Sequence, residues 1–401
     1  MTAGRPLEGF RILDFCWIGA GALVTKTLAE LGASVYRVES RTHPDNLRLS
    51  PPFRPGTEGI EASGYFASRN SSKRSVALNM QTAEGRALAR RLAEGVDMVS
   101  SNFRPGIMER WGMGYAQLRE TNPALISLTM PMQGAEGPHA SYIGFGSTIA
   151  ALSGLVALSG VPGRAPVGTG THFPDHVPNP GHALVAVLAA IRHRRRTGEG
   201  QQIELSQLES TVNVLGPAFV EAGLGRQPEP VGNRVPGVAP HGAYVCRDGA
   251  WIVVSCRRDA HWASLVDALG FAAPARFAVA AARASEEGAV DALVAAAVAR
   301  HDRGAAIALL TRAGVPHAPV NSSRDIVEEK VLWERGFWRD VEHPVIGRIP
   351  INRSPFRLID GPEAQVTRPP LLGEDTAEVL AAELGLDAAE IARLVDEKVL
   401  Y

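Results

Sequence analysis

One stretch near the start of the chain restricts the fold more than any other. Phe10-Arg11-Ile12-Leu13-Asp14-Phe15 has the apolar run of a buried strand, and Gly19-Ala20-Gly21 makes a turn. The segment ALVTKTLAELG then carries helical spacing, with Gly32 as its stop, and Val35 to Val38 form a second strand closed by Glu39. Strand, helix and strand in that order make a βαβ unit, the seed of a doubly wound parallel sheet. Further along, Ser75 to Leu78, the helix GRALARRLAEG, Asp97 to Ser100 and the strand in PALISLTM continue the alternation. The expected fold class is α/β.

The second half changes character. Proline and glycine concentrate between Gly225 and Gly242, which reads as a linker or an active-site loop. Beyond it, GAYVCRDGAWIVVSC is two strands joined through Asp248-Gly249, a hairpin signal. Helices follow, including the alanine-rich tract Ala278 to Arg300, and then a strand in HAPVNS. The end of the chain reads as two helices, with Asp387 and Glu390 at capping-box spacing. At 401 residues two domains are expected. The shift in composition places a linker at 201–241 and a small domain at 242–330.

Composition removes several function classes. A net charge of −1 gives no basic field for nucleic acid or anionic membrane. No apolar run approaches the roughly 20 residues that span a bilayer, and the opening MTAGRPLEGF lacks a signal-peptide pattern. Cys16, Cys246 and Cys256 have neither an even count nor metal spacing, so a reduced cytoplasm is expected, with no metal. The turn at Gly19 with Glu39 twenty positions on suggests dinucleotide binding, but Val24 stands where the fingerprint needs a small residue. Nicotinamide is therefore not expected. A glycine turn opening a helix also suits phosphate or an acyl-CoA.

Four stretches turn that option into a preference: RNSSKRSVALNM (69–80), SNFRPGIMERWGMGYAQLRETNP (101–123), RRRTGEGQQIELSQLES (194–210) and LGEDTAEVLAAELGL near the end. In this order and spread along nearly the whole chain, they resemble the class III CoA-transferase family. That family includes formyl-CoA and carnitine-type CoA-transferases and the related α-methylacyl-CoA racemases. The resemblance implies a Rossmann-like large domain built from both chain ends, residues 1–200 and 331–401, a smaller α+β domain, and two chains interlocked as a homodimer or with a paralogue. It also implies an active site between large and small domains.

Within THFPDHVPNPGHALVAVLAA, Asp175 sits between two prolines ahead of a helix started by Asn179 and Pro180. Taken alone, Asp175 could simply complement the helix N-terminus, worth about 0.3–1 kcal/mol, with Asn179 as cap. The resemblance assigns it instead as the nucleophile that carries a covalent aspartyl-CoA intermediate. The racemase branch needs a histidine and an acid where this chain has Gly144-Phe145-Gly146, so racemisation is the minority alternative, as is a non-catalytic subunit. The resemblance further implies CoA contacts from Ile18, Gly19, Ala20, Lys73, Asn102, Phe103, Arg104 and Arg110. It adds Arg41, displaced here by Ser40 after the acid that ends the second strand. Phe145 and His176 are expected at the substrate, and Arg234, in a loop lacking the glycine run of formyl-type members, at a second carboxylate of a dicarboxylic acid. Arg192 and Arg194 to Arg196 read as a helix C-terminus rather than a phosphate site. The expected reaction moves CoA from an acyl-CoA, with succinyl-CoA a reasonable donor, to a carboxylic acid.

Overall fold

The computed structural model describes residues 4–401. They form two compact units. One runs through Val156, resumes over Gly168–Arg226 and closes with Lys330–Tyr401; the other joins Ala157–Val167 to Gln227–Glu329.

The large unit is built on six parallel strands: β1 (Arg11–Phe15), β2 (Ser34–Glu39), β3 (Arg74–Ala77), β4 (Met98–Ser101), β5 (Ile126–Thr129) and β6 (Gln202–Glu204). Their order is β3-β2-β1-β4-β5-β6. Side chains alternate across a strand, so adjacent residues feed opposite cores. Leu13, Tyr36 and Val99 join Leu88, Leu92, Val379 and Leu394 on one face. Ile12, Val35 and Met98 join Val24, Leu28, Val187 and Ile191 on the other. Helix α1 (Ala20–Glu30) and the long helix over Pro178–Thr197 thus cover one face, while the helix over Ala83–Gly95 and the C-terminal helices cover the other. Strand order reverses between β1 and β4, and in such sheets the carboxyl ends at that point form a crevice for ligands.

The small unit has its own core, including Tyr244, Ile252, Val254, Trp262, Phe277 and Val294. Its three-stranded antiparallel sheet places Trp251–Ser255 between His241–Val245 and His317–Pro319. Asp248-Gly249 makes the hairpin turn, with Gly249 at φ 77°.

Three details depart from the sequence reading. The segment 201–241 is not one linker: Gln202–Glu204 pairs in parallel with β5, and the stretch 201–226 belongs to the large unit. The alanine-rich tract breaks at Glu286 (φ −122°, ψ 38°) into helices Ala280–Ser285 and Glu287–Val298, where Glu286 ion-pairs with Arg276 at 2.8 Å. Asn179 is not a cap. The helix starts at Pro178, whose missing N–H costs nothing in a first turn, and Asn179 lies buried inside that turn against Gln207 at 3.2 Å.

Candidate active site

The residues after β1 and β4 meet at the crevice. Trp17, Ile18, Gly19 and Ala20 follow β1, and Asn102, Phe103 and Arg104 follow β4; together with Phe145 and Asp175 they line a cavity of about 280 Å³. Asp175 reaches it from a one-turn helix, Phe173–His176, and is 7% exposed. It caps nothing: the following helix has Val177 at its N-cap with no side-chain bond.

Two glycines make room for the Asp175 carboxylate. A Cβ on Gly19 would stand 2.8 Å from its Cγ, and one on Gly146 would stand 2.5 Å from its Oδ2. Gly19 precedes α1, and Gly146 opens the helix Gly146–Leu152 and donates its N–H to the carboxylate. Burial favours the neutral acid, whereas His172, the Gly146 N–H and Arg69 favour the anion. Burial wins, and the carboxyl is pushed up to about 6. At neutral pH the group is still mostly ionised, but it is poorly solvated and therefore reactive.

His176 is differently occupied than expected. An Arg69 nitrogen lies 2.7 Å from its Nε2, and a guanidinium only donates, so Nε2 accepts and the proton sits on Nδ1. Nδ1 faces the Thr171 hydroxyl at 3.0 Å. Burial, Arg69 and His172 lower its pKa to about 4, so the ring is neutral. With both nitrogens engaged inside the chain, His176 has no free N–H for a substrate carboxylate. Arg69, which residue patterns alone did not single out although it opens RNSSK, is the cation beside Asp175; its Nε is buried with no hydrogen-bond partner.

Three further expected contacts of the large unit, Lys73, Arg41 and Arg110, lie outside the cavity lining. Lys73 precedes β3 with its ammonium turned into the core, 3.1 Å from Asp14 and 3.0 Å from the side-chain amide oxygen of Asn70, and its side chain is fully buried. It is committed to Asp14 rather than presented to a phosphate. Arg41 and Arg110 are exposed outside the cavity lining. Arg234 belongs to the small unit, where it pairs with Glu287 at 3.3 Å and lines a cavity of about 540 Å³ with His241 and His317. Asn102 does line the large unit's cavity, yet its amide is spent on the Trp17 backbone: its oxygen accepts from Trp17 N–H at 2.9 Å and its NH₂ donates to Trp17 C=O at 2.5 Å. The indole of Trp17 in turn stacks on His43 (5.7 Å, 30°) and meets Phe103 edge-on (5.2 Å), giving the cavity an aromatic wall that the sequence reading did not include beyond Phe103.

The crevice at the sheet's switch point thus holds a buried carboxylate between two helix starts. Residues 7–376 match the CoA-transferase family III. The chain belongs to that family. A probable CoA-transferase, Rv1866, of Mycobacterium tuberculosis (strain ATCC 25618 / H37Rv) is 33% identical over all of this chain, which spans about half (51%) of that relative's length. The succinyl-CoA–D-citramalate CoA-transferase of Chloroflexus aurantiacus is 31% identical over 99% of this chain and 98% of its own. A CAIB/BAIF family protein from Brucella suis has a solved structure that superposes with a TM-score of 0.88 at 31% identity, covering 95% of this chain and 100% of that one. Family III CoA-transferases use CoA thioesters as substrates, and this chain is an enzyme of that class. No helix among the described residues is long and apolar enough to cross a membrane.

Proposed function

We propose that this enzyme transfers CoA from succinyl-CoA to a second carboxylic acid through covalent intermediates on Asp175. The observation that carries the reading is the buried Asp175 carboxylate, freed of side-chain obstruction by Gly19 and Gly146 and open to the crevice. Succinyl-CoA as donor is supported by the name of the Chloroflexus relative.

A carboxylate oxygen of Asp175 attacks the thioester carbonyl; the C–S bond breaks and CoA thiolate leaves, giving a mixed anhydride. The thiolate then attacks the aspartyl carbonyl, releases succinate and leaves an aspartyl-CoA thioester. The acceptor carboxylate attacks that thioester, frees the thiolate again and forms a second anhydride. Attack of the thiolate on the acceptor's acyl carbon yields the new thioester and returns the Asp175 carboxylate. No net proton is consumed. The two middle steps build their tetrahedral centre on the Asp175 carboxyl carbon, which is packed against Gly19 and Gly146, so these two positions tolerate no Cβ. Arg69 and the Gly146 N–H hold the starting anion and the carboxylates that are released beside it.

The test is exchange between succinyl-CoA and a panel of mono- and dicarboxylic acids, followed by mass spectrometry of the thioesters. Formation of a new acyl-CoA together with free succinate is expected for at least one acid. Hydrolysis alone, or no exchange with any acid, would contradict the transfer reading.

A further inference from the structure

The turn that builds the Gly19 wall is held by groups the transfer chemistry does not use. Ile18 has φ 64°, a left-handed conformation that a β-branched residue rarely adopts unless its surroundings impose it. The surroundings do so atom by atom. Asp14 accepts from the Cys16 N–H at 2.9 Å, and Arg37 donates to the Cys16 carbonyl at 2.7 Å. Asn102 takes both polar groups of Trp17, and Asp45 accepts from the Ile18 N–H at 3.1 Å. Arg37 also donates to the same Asp45 oxygen, closing a loop of contacts around the turn. The Arg37 side chain and Asp45 are fully buried, and the second Asp45 oxygen is spent on the Leu47 N–H at 2.9 Å.

A buried ion pair adds little stability over an apolar pair of similar shape, because desolvation offsets the attraction. This pair instead fixes backbone: each member spends a hydrogen bond on the turn just before Gly19. We propose that Arg37 and Asp45 are positioning residues that keep Ile18 in its left-handed conformation and thereby set the Gly19 face of the Asp175 pocket. They touch no substrate and act only through the turn. The inference rests on the reading of Asp175 as the nucleophile.

The experiment measures the single-turnover rate at which hydroxylamine traps succinyl-CoA-activated Asp175. The charge-neutral variant R37Q/D45N leaves no unpaired buried charge and keeps hydrogen-bonding groups at both positions. Its trapping rate is expected to fall about 10- to 100-fold, the scale of a displacement near 1 Å at a reacting group. Adding I18G to that background restores part of the loss, because glycine reaches φ > 0 without help, whereas adding I18A does not. A wild-type rate in R37Q/D45N would overturn the inference, as would equal trapping rates after adding I18G and after adding I18A. Wild-type protein that forms no adduct at all would overturn the Asp175 reading, and the inference with it. Should R37Q/D45N not fold, melting of the single variants decides: glycine ordinarily destabilises relative to alanine, and the reverse order, I18G above I18A, is expected at this turn. The ordinary order would overturn the inference.

Discussion

At Asp175 burial and charge pull in opposite directions, and the balance fixes how activity follows pH. The carboxyl titrates at about 6 and must be ionised to attack, so kcat/KM is expected to fall as pH drops through about 6. Arg69 favours the anion, so R69Q moves that acidic limb to higher pH; a limb that stays in place would show that Arg69 does not act on Asp175. The same balance appears in stability. Because the folded-state pKa is raised from 3.8 to about 6, the protonated acid is the better-fitting form. Its contribution is complete below about 3.8 and lost as pH rises through about 6. The ionised group therefore costs about 3 kcal/mol at neutral pH. D175N is expected to melt above wild type at pH 8 and level with it near pH 4, and equal melting at both would contradict this. Room is the second constraint at this scale. G146A places a Cβ 2.5 Å from the carboxylate oxygen and is expected to lower kcat about 100-fold or more with the fold intact.

The βαβ unit at the N-terminus was legible as an element because apolar strands and a capped helix have distinct periods. The site-bearing loops were legible only in part. Asp175, Ile18, Gly19, Ala20, Asn102, Phe103, Arg104 and Phe145 do share one cavity, and the glycines that flank the carboxylate stand in stretches already singled out. Lys73 shows why the rest was not legible: a lysine before a strand has the same letters whether its ammonium faces solvent or the core. Here burial disfavours its charge, and Asp14 supplies the compensation. Burial would likewise raise Asp14, yet Lys73, Arg37, the Thr25 hydroxyl and the Cys16 N–H outweigh it and hold the carboxyl below its ordinary range. K73M removes one partner of that buried pair and is expected to cost about 3–5 kcal/mol in urea unfolding. Its affinity for CoA, measured on the folded fraction, stays unchanged. A stable variant with weakened, salt-sensitive CoA binding would return Lys73 to the ligand. His176 and Arg69 carry the same lesson, since the tautomer that removes His176 from the substrate depends on a residue 107 positions away.

For the whole molecule, the long helix over Pro178–Thr197 carries a clue to assembly. One face packs on the sheet through Ala183, Val187 and Ile191, while Val185 (71% exposed) and Leu188 (43%) face outward. A helix apolar on both sides is normally covered on both. We expect two chains to associate in solution, as the interlocked pair implied by family resemblance would, and V185E to weaken that association; a monomer by sedimentation at micromolar concentration would contradict it. Composition offered no means to choose between transferase, racemase and silent subunit. That choice depends on which side chains reach one carboxylate: Phe145 lines the cavity where the racemase branch needs a histidine, while His43 lines the same cavity and His172 acts on Asp175. The most direct test of the central claim is the intact mass of wild type and D175A after incubation with succinyl-CoA and hydroxylamine. An activated aspartate is trapped as its hydroxamate, about 15 Da heavier, only if a covalent intermediate forms. Wild type is expected to shift and D175A to stay unshifted; an unshifted wild type, or the same shift in both proteins, would contradict covalent catalysis on Asp175.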